Sequence, residues 1–138
     1  MKKFLRFASL ALTSLALAST IPGTRAADKT PVATTENGMA AGSIVVPDGL
    51  KASDVQRSIL EAASGRGWTI KNKGDDGKVV IVLEQGRWQA LLNVVYDAKE
   101  VQIYSKSTRN GKPQIPEDWV KYIKQDVTKN LNTKAFLK

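Results

Sequence analysis

Trp88-Gln89-Ala90-Leu91-Leu92-Asn93-Val94-Val95-Tyr96 is the stretch that decides the fold. In an extended strand successive side chains point to opposite faces. Trp88, Ala90, Leu92, Val94 and Tyr96 then share one face, while Gln89, Leu91, Asn93, Val95 and Asp97 share the other. The first set is the more apolar, so it turns towards a core. Gly86-Arg87 turns the chain before this stretch, and Asp97-Ala98-Lys99 turns it after. Strand-like runs flank it at residues 78–85 and 101–106, and residues 68–73 precede them across the turn Gly74-Asp75-Asp76-Gly77. Connections this short join antiparallel neighbours, because parallel strands need a long crossover. The four runs therefore read as an antiparallel meander. Trp68, Ile70, Val101 and Ile103 should join the inner face.

A helix is expected on each side of the meander. In the first, Ser53 reads as the N-cap and Gln56 completes a capping box. Val55, Ile59, Ala62 and Ala63 recur at helical spacing with Leu60 beside them, and Gly65 stops the helix in a left-handed conformation. The second starts near Pro116 or Glu117. Trp119, Ile123, Val127 and Leu131 form its apolar stripe, with Val120 and Phe136 at the margin and Lys121, Lys124 and Lys129 mostly off it. The expected fold is α+β: a two-layer sandwich of order α-β-β-β-β-α, with both helices on one face of a four-stranded sheet. Residues 43–138 make this single domain, and Ser43 to Pro47 forms a short edge strand before the first helix.

The first 26 residues have another purpose. Met1 to Arg6 is basic, Phe7 to Ala18 is an apolar run, and Thr24-Arg25-Ala26 puts small residues at −3 and −1. That order is a secretory leader, with cleavage after Ala26. Residues 27–42 are rich in Thr, Ala and Gly, lack periodicity and read as a disordered linker. The whole chain carries 21 Lys+Arg against 13 Asp+Glu. Removing Lys2, Lys3, Arg6 and Arg25 leaves 17 cations and a net charge of +4. Such a surplus does not point to nucleic acid, though attraction to an anionic envelope polymer fits it. The expected location is the periplasm or the medium, with no transmembrane segment in the mature protein and, without a cysteine, no lipid anchor.

Composition also limits the chemistry. The chain has no Cys and no His, so it lacks a thiol nucleophile and the usual general base near neutral pH. Gly65-Arg66-Gly67 leaves a helix and enters a strand, the reverse of a dinucleotide fingerprint. Asp75-Asp76-Gly77 lacks the alternating ligands of a calcium loop. Glu84 and Glu100 are the one carboxylate pair to consider for a hydrolase. No catalytic residue, metal or cofactor is expected, and the three tryptophans read as core anchors. Arg87 beside Trp88 is a candidate cation–π contact.

The outer sheet face is where function is expected. It carries Val80, Val82, Leu91, Val95 and Tyr104, more apolar residues than a free face needs. A partner, a second copy or the segment around Ile44 to Val46 would each cover it. The loop holding Lys106, Arg109 and Lys112 is the most basic stretch after the leader. These residues together suggest a non-enzymatic binding module for a protein or envelope component. A homo-oligomeric structural envelope protein is the alternative, and a carboxylate-based hydrolase a distant third.

Gly65-Arg66-Gly67-Trp68, Arg87-Trp88-Gln89-Ala90, Val95-Tyr96-Asp97, Ile103-Tyr104-Ser105 and Asp118-Trp119-Val120 together form a pattern. It resembles a family of small bacterial periplasmic proteins and lipoproteins with no established activity. The resemblance runs from about Ser53 to Leu131 and implies an envelope location. It offers no functional residues to carry over. This chain has Trp88 where the family often has histidine, and it has no cysteine for acylation. Its layout is also similar to the helix-grip modules of outer-membrane assembly lipoproteins, a likeness of fold and not of function.

Overall fold

In the computed structural model, β5 (Trp88–Tyr96) lies inside the sheet between β4 (Lys78–Gln85) and β6 (Glu100–Ser105). Residues 34–138 are described; the expected leader with its cleavage site, and the expected linker up to residue 33, lie outside the described residues. The antiparallel register sets Ile81 opposite Leu92 and Val94 opposite Ile103. Val79, Ile81, Leu92, Val94, Val101 and Ile103 are all buried and form the inner face as the alternation requires. β3 (Thr69–Lys73) closes one edge.

The chain is α+β, but among the described residues its sheet has eight strands, not four. Two of the additional strands precede the first helix, β1 (Thr34–Thr35) and β2 (Gly38–Val45), and β2 takes in Ser43 to Val45 of the expected edge strand but starts five residues earlier. They form a hairpin, and β2 pairs with β6 from Met39↔Ser105 to Val45↔Glu100. Residues 38–42, which read as linker, are therefore strand. Gly38-Met39-Ala40-Ala41-Gly42 shows no alternation, so only the backbone ladder to β6 reveals it. The other two are β7 (Thr108–Arg109) and β8 (Lys112–Pro113), a hairpin within the expected polar loop. Asn110 and Gly111 both take positive φ, 55° and 79°, at its tip. That pairing is the geometry of the two-residue turn that matches strand twist.

The helix ends differ from expectation at the level of single atoms. α1 (Ala52–Gly65) is capped at Lys51, not Ser53, because the Asp54 carboxylate accepts the Lys51 N–H at 2.9 Å. Gln56 instead reaches the Lys73 carbonyl and Asp75. Gly65 stays helical, and Gly67 supplies the left-handed residue with φ 83°. Gly67 N–H then bonds the Ser64 carbonyl and Trp68 N–H the Ala63 carbonyl, the double bond of a Schellman end. α2 (Glu117–Phe136) buries Val120, Ile123, Val127 and Leu131, while Phe136 is 88% exposed and outside the core. Both helices contribute to one hydrophobic cluster with the inner sheet residues, Ile44, Val46, Leu50 and Trp68. No helix among the described residues is long and apolar enough to cross a membrane.

Candidate functional site

β5 starts at Trp88, so this large ring stands at one end of the inner face. α2 starts at the same end, which brings Trp119 to Trp88 with ring centroids 5.8 Å apart and planes at 50°. Trp119 also meets buried Trp68 edge-on at 6.1 Å. The three tryptophans thus form a row from the core to the surface, with Trp88 and Trp119 only half-buried.

The β7–β8 hairpin forms the other wall. β7 carries on the register of β6 along β5: Leu92 faces Ser105, and the same register puts Gln89 opposite Thr108 and Trp88 opposite Arg109. Between them the ladder is altered. Leu91 N–H donates to the buried Ser107 hydroxyl at 3.0 Å, and that hydroxyl donates to the Leu91 carbonyl at 3.3 Å. The Arg109 guanidinium lies 5.7 Å from the Trp88 ring centroid, a cation–π distance. The stacking arginine at Trp88 is therefore Arg109, not its neighbour Arg87; sequence adjacency misled because Arg87 lies in the turn.

Between these walls is a cleft of about 500 Å³, within the range of small-ligand pockets. Trp88, Trp119, Gln114, Ile115, Glu117 and Asp118 are among its lining residues. The two acids are exposed in the first turn of α2 and favoured there by the helix dipole. The cleft therefore joins apolar surface from the two rings, Ile115, Pro113 and Pro116 to the carboxylates of Glu117 and Asp118. Sequence reasoning read Trp88 and Trp119 as core anchors. The missed signal was that each adjoins a polar turn, Gly86-Arg87 and Glu117-Asp118 respectively.

The residues expected to bind fall in two places. Val80, Val82, Leu91, Val95 and Tyr104 do share the outer face, where Val82 is opposite Leu91, and each is half-buried. Exposed Lys106 follows Tyr104 at its border. Arg109 and Lys112 face each other across the hairpin beside Trp88 instead. Part of the outer face is covered from within. The β1–β2 turn arches over it, so that Asn93, only 6% exposed, donates to the Asn37 carbonyl at 2.6 Å. Lys78 donates to the Asn37 side chain at 3.0 Å. The segment around Ile44 to Val46 is not the cover, since Ile44 and Val46 point into the core.

Glu84 and Glu100 do not meet. Glu84 is opposite Gln89, and Glu100 precedes Val101, which is opposite Tyr96. Seven residues of β5 separate those positions, roughly 24 Å at strand rise, far beyond the spacing of a hydrolytic pair. Among the described residues no group of three or more acidic side chains is placed to hold a metal. Near Trp119, Arg66 pairs with Asp126 at 2.6 Å and lies 4.9 Å from the Tyr122 ring centroid. The hydrogen bond from Arg66 holds the Asp126 carboxyl below its ordinary range. No protein-family model matches this chain, and no curated protein matches it.

Proposed function

We propose that the chain is an exported, non-enzymatic binding module of the bacterial envelope, and that its ligand sits in the cleft against the paired rings of Trp88 and Trp119. The observation that carries this is the cleft itself. Two large aromatic side chains stay half-buried in a concave, mixed-polarity wall, whereas side chains of this size ordinarily end in a core or an interface. The basic leader, its small-residue cleavage site and the resemblance to small envelope proteins support export. The modest positive charge after cleavage suits an envelope component better than nucleic acid.

A homo-oligomeric structural protein is the second reading, favoured by the half-buried row Val80, Val82, Leu91, Val95 and Tyr104. One experiment separates them. A photo-crosslinking residue replaces Gln114 in the cleft or Val82 on the outer face of the full chain, expressed in its own host. The cleft reading expects an envelope component captured at position 114, with capture lost in Trp88→Ala. Capture confined to position 82, and to a second copy of the chain, would overturn it in favour of the oligomer.

A further inference from the structure

The two edges of the sheet are built unlike each other. β3, Thr-Ile-Lys-Asn-Lys, carries Lys71 and Lys73 in five residues and a register shift. Lysines on a short edge strand are a standard guard against further pairing. β2, Gly-Met-Ala-Ala-Gly-Ser-Ile-Val, has eight residues with no charge and no proline. Among the described residues β1 covers only Gly38 and Met39 of it, which leaves Ala40 to Val45 without a ladder partner on that side. Val45 at its end is 85% exposed.

Beside this edge, unpaired among the described residues, is a hollow of about 520 Å³ that continues the Trp88–Trp119 cleft past Ile115 and Glu117, which line both. Its floor is Ala40, Ala41, Ile115 and Val120, and its rim holds Lys121 and Lys124 of α2. The Lys124 stem lies over Gly42, where an added Cβ would stand 2.9 Å from it. Neither lysine is in an ion pair among the described residues. Small strand residues, an apolar floor and a helix flank with two cations at its rim are the elements of strand addition.

We propose that β2 accepts an extended acidic polypeptide segment as an added strand. The segment's backbone completes the ladder along Ala40 to Val45, and its carboxylates meet Lys121 and Lys124. A second copy of this chain is the poorer occupant, because edge-to-edge pairing about a two-fold would bring the lysine pairs together. The inference goes beyond the cleft and stands whether or not the cleft is filled.

The probe is a short synthetic peptide alternating valine and glutamate, titrated into the full chain by fluorescence anisotropy with hydrogen exchange followed in parallel. The expected result is binding, with new protection of the outward amides between Ala40 and Val45. A lysine-for-glutamate peptide, or the acidic peptide against Lys121→Glu/Lys124→Glu, should bind about five- to tenfold more weakly. Methylation of alternate peptide amides should abolish binding, which an attraction of charge alone would survive. The proposal falls if the methylated peptide binds equally well. It also falls if the edge amides are already protected in the free protein, or become so with rising protein concentration, for then the chain itself fills the edge.

Discussion

Gly38→Ala is the sharpest test of how this chain folds. Gly38 is buried with φ 120°, in the region that L residues avoid. A Cβ there would stand 2.8 Å from the Ser105 carbonyl carbon and closer still to its oxygen. Both belong to backbone, so no side-chain rotation relieves the contact. The variant has two ways out. It can hold the strained conformation, at about 1–3 kcal/mol, with the clash added. Or it can release the arch, forfeiting the buried Asn93–Asn37 hydrogen bond, about 1–3 kcal/mol, together with the Lys78 contact and the β1 ladder. The routes are similar in cost, so the expected loss is about 2–4 kcal/mol, or a Tm fall of roughly 10 °C or more in a domain of this size. Circular dichroism melts give the size of the loss, and hydrogen exchange at Gly38 and Asn93 tells which route is taken. If residues 38–42 were disordered linker, the same change would leave stability unaltered, because the residue would be equally free in the folded and unfolded chain. A variant as stable as its parent would therefore refute the strand.

Other expectations follow from burial and charge. Leu131→Ala, at a fully buried position of α2, should cost about 2–5 kcal/mol in urea unfolding. Phe136→Ala, one turn on and exposed, should stay within about 0.5 kcal/mol of the parent. Three carboxyls sit below their ordinary range: Asp97 through the N–H groups of Lys99 and Glu100, Asp54 through the Lys51 N–H and then Lys138, and Asp126 through Arg66. Each contributes stability that is complete above its unfolded value near 4 and lost as pH falls through the folded one. Unfolding midpoints should thus drop on acidification below about pH 4, and Asp97→Asn should make that acid limb shallower. A limb unchanged by Asp97→Asn would show that this turn is not held by its carboxylate.

Alternation made β5 legible, and with it the inner face. Trp88, Ala90, Leu92 and Val94 could hardly be arranged another way, and short turns dictated their antiparallel neighbours. What escaped was structure held by backbone instead of side-chain pattern. β2 is half glycine and alanine at its start, and each strand of the β7–β8 hairpin is too short to show a period. The helix start was misplaced because two local acceptors compete: Ser53 and Asp54 both suit a cap, and the longer reach of Asp54 to Lys51 wins. The candidate cleft was hidden for a different reason. Trp88, Arg109 and Trp119 are far apart in the chain, and only the continued register of β7 along β5 puts guanidinium over indole. The outer face was correctly composed, but the reason for part of its apolar and buried character, the Asn37 arch, lay in a segment that looks featureless.

Ser107 has a mechanical consequence. A hydroxyl stands where a ladder carbonyl would normally accept the Leu91 amide, and an oxygen on a rotatable bond is a softer fastening than one fixed in a peptide plane. Past that point the hairpin is hooked back at two places, Asn110 N–H on the Arg87 carbonyl and Gln114 N–H on the Ser107 carbonyl. The wall carrying Arg109 thus resembles a buckled strap, compliant at its root and stiff along its length. Because β7 is also paired with β5 at Thr108 and Arg109, any shift of that wall would be transmitted to the Trp88 end of β5.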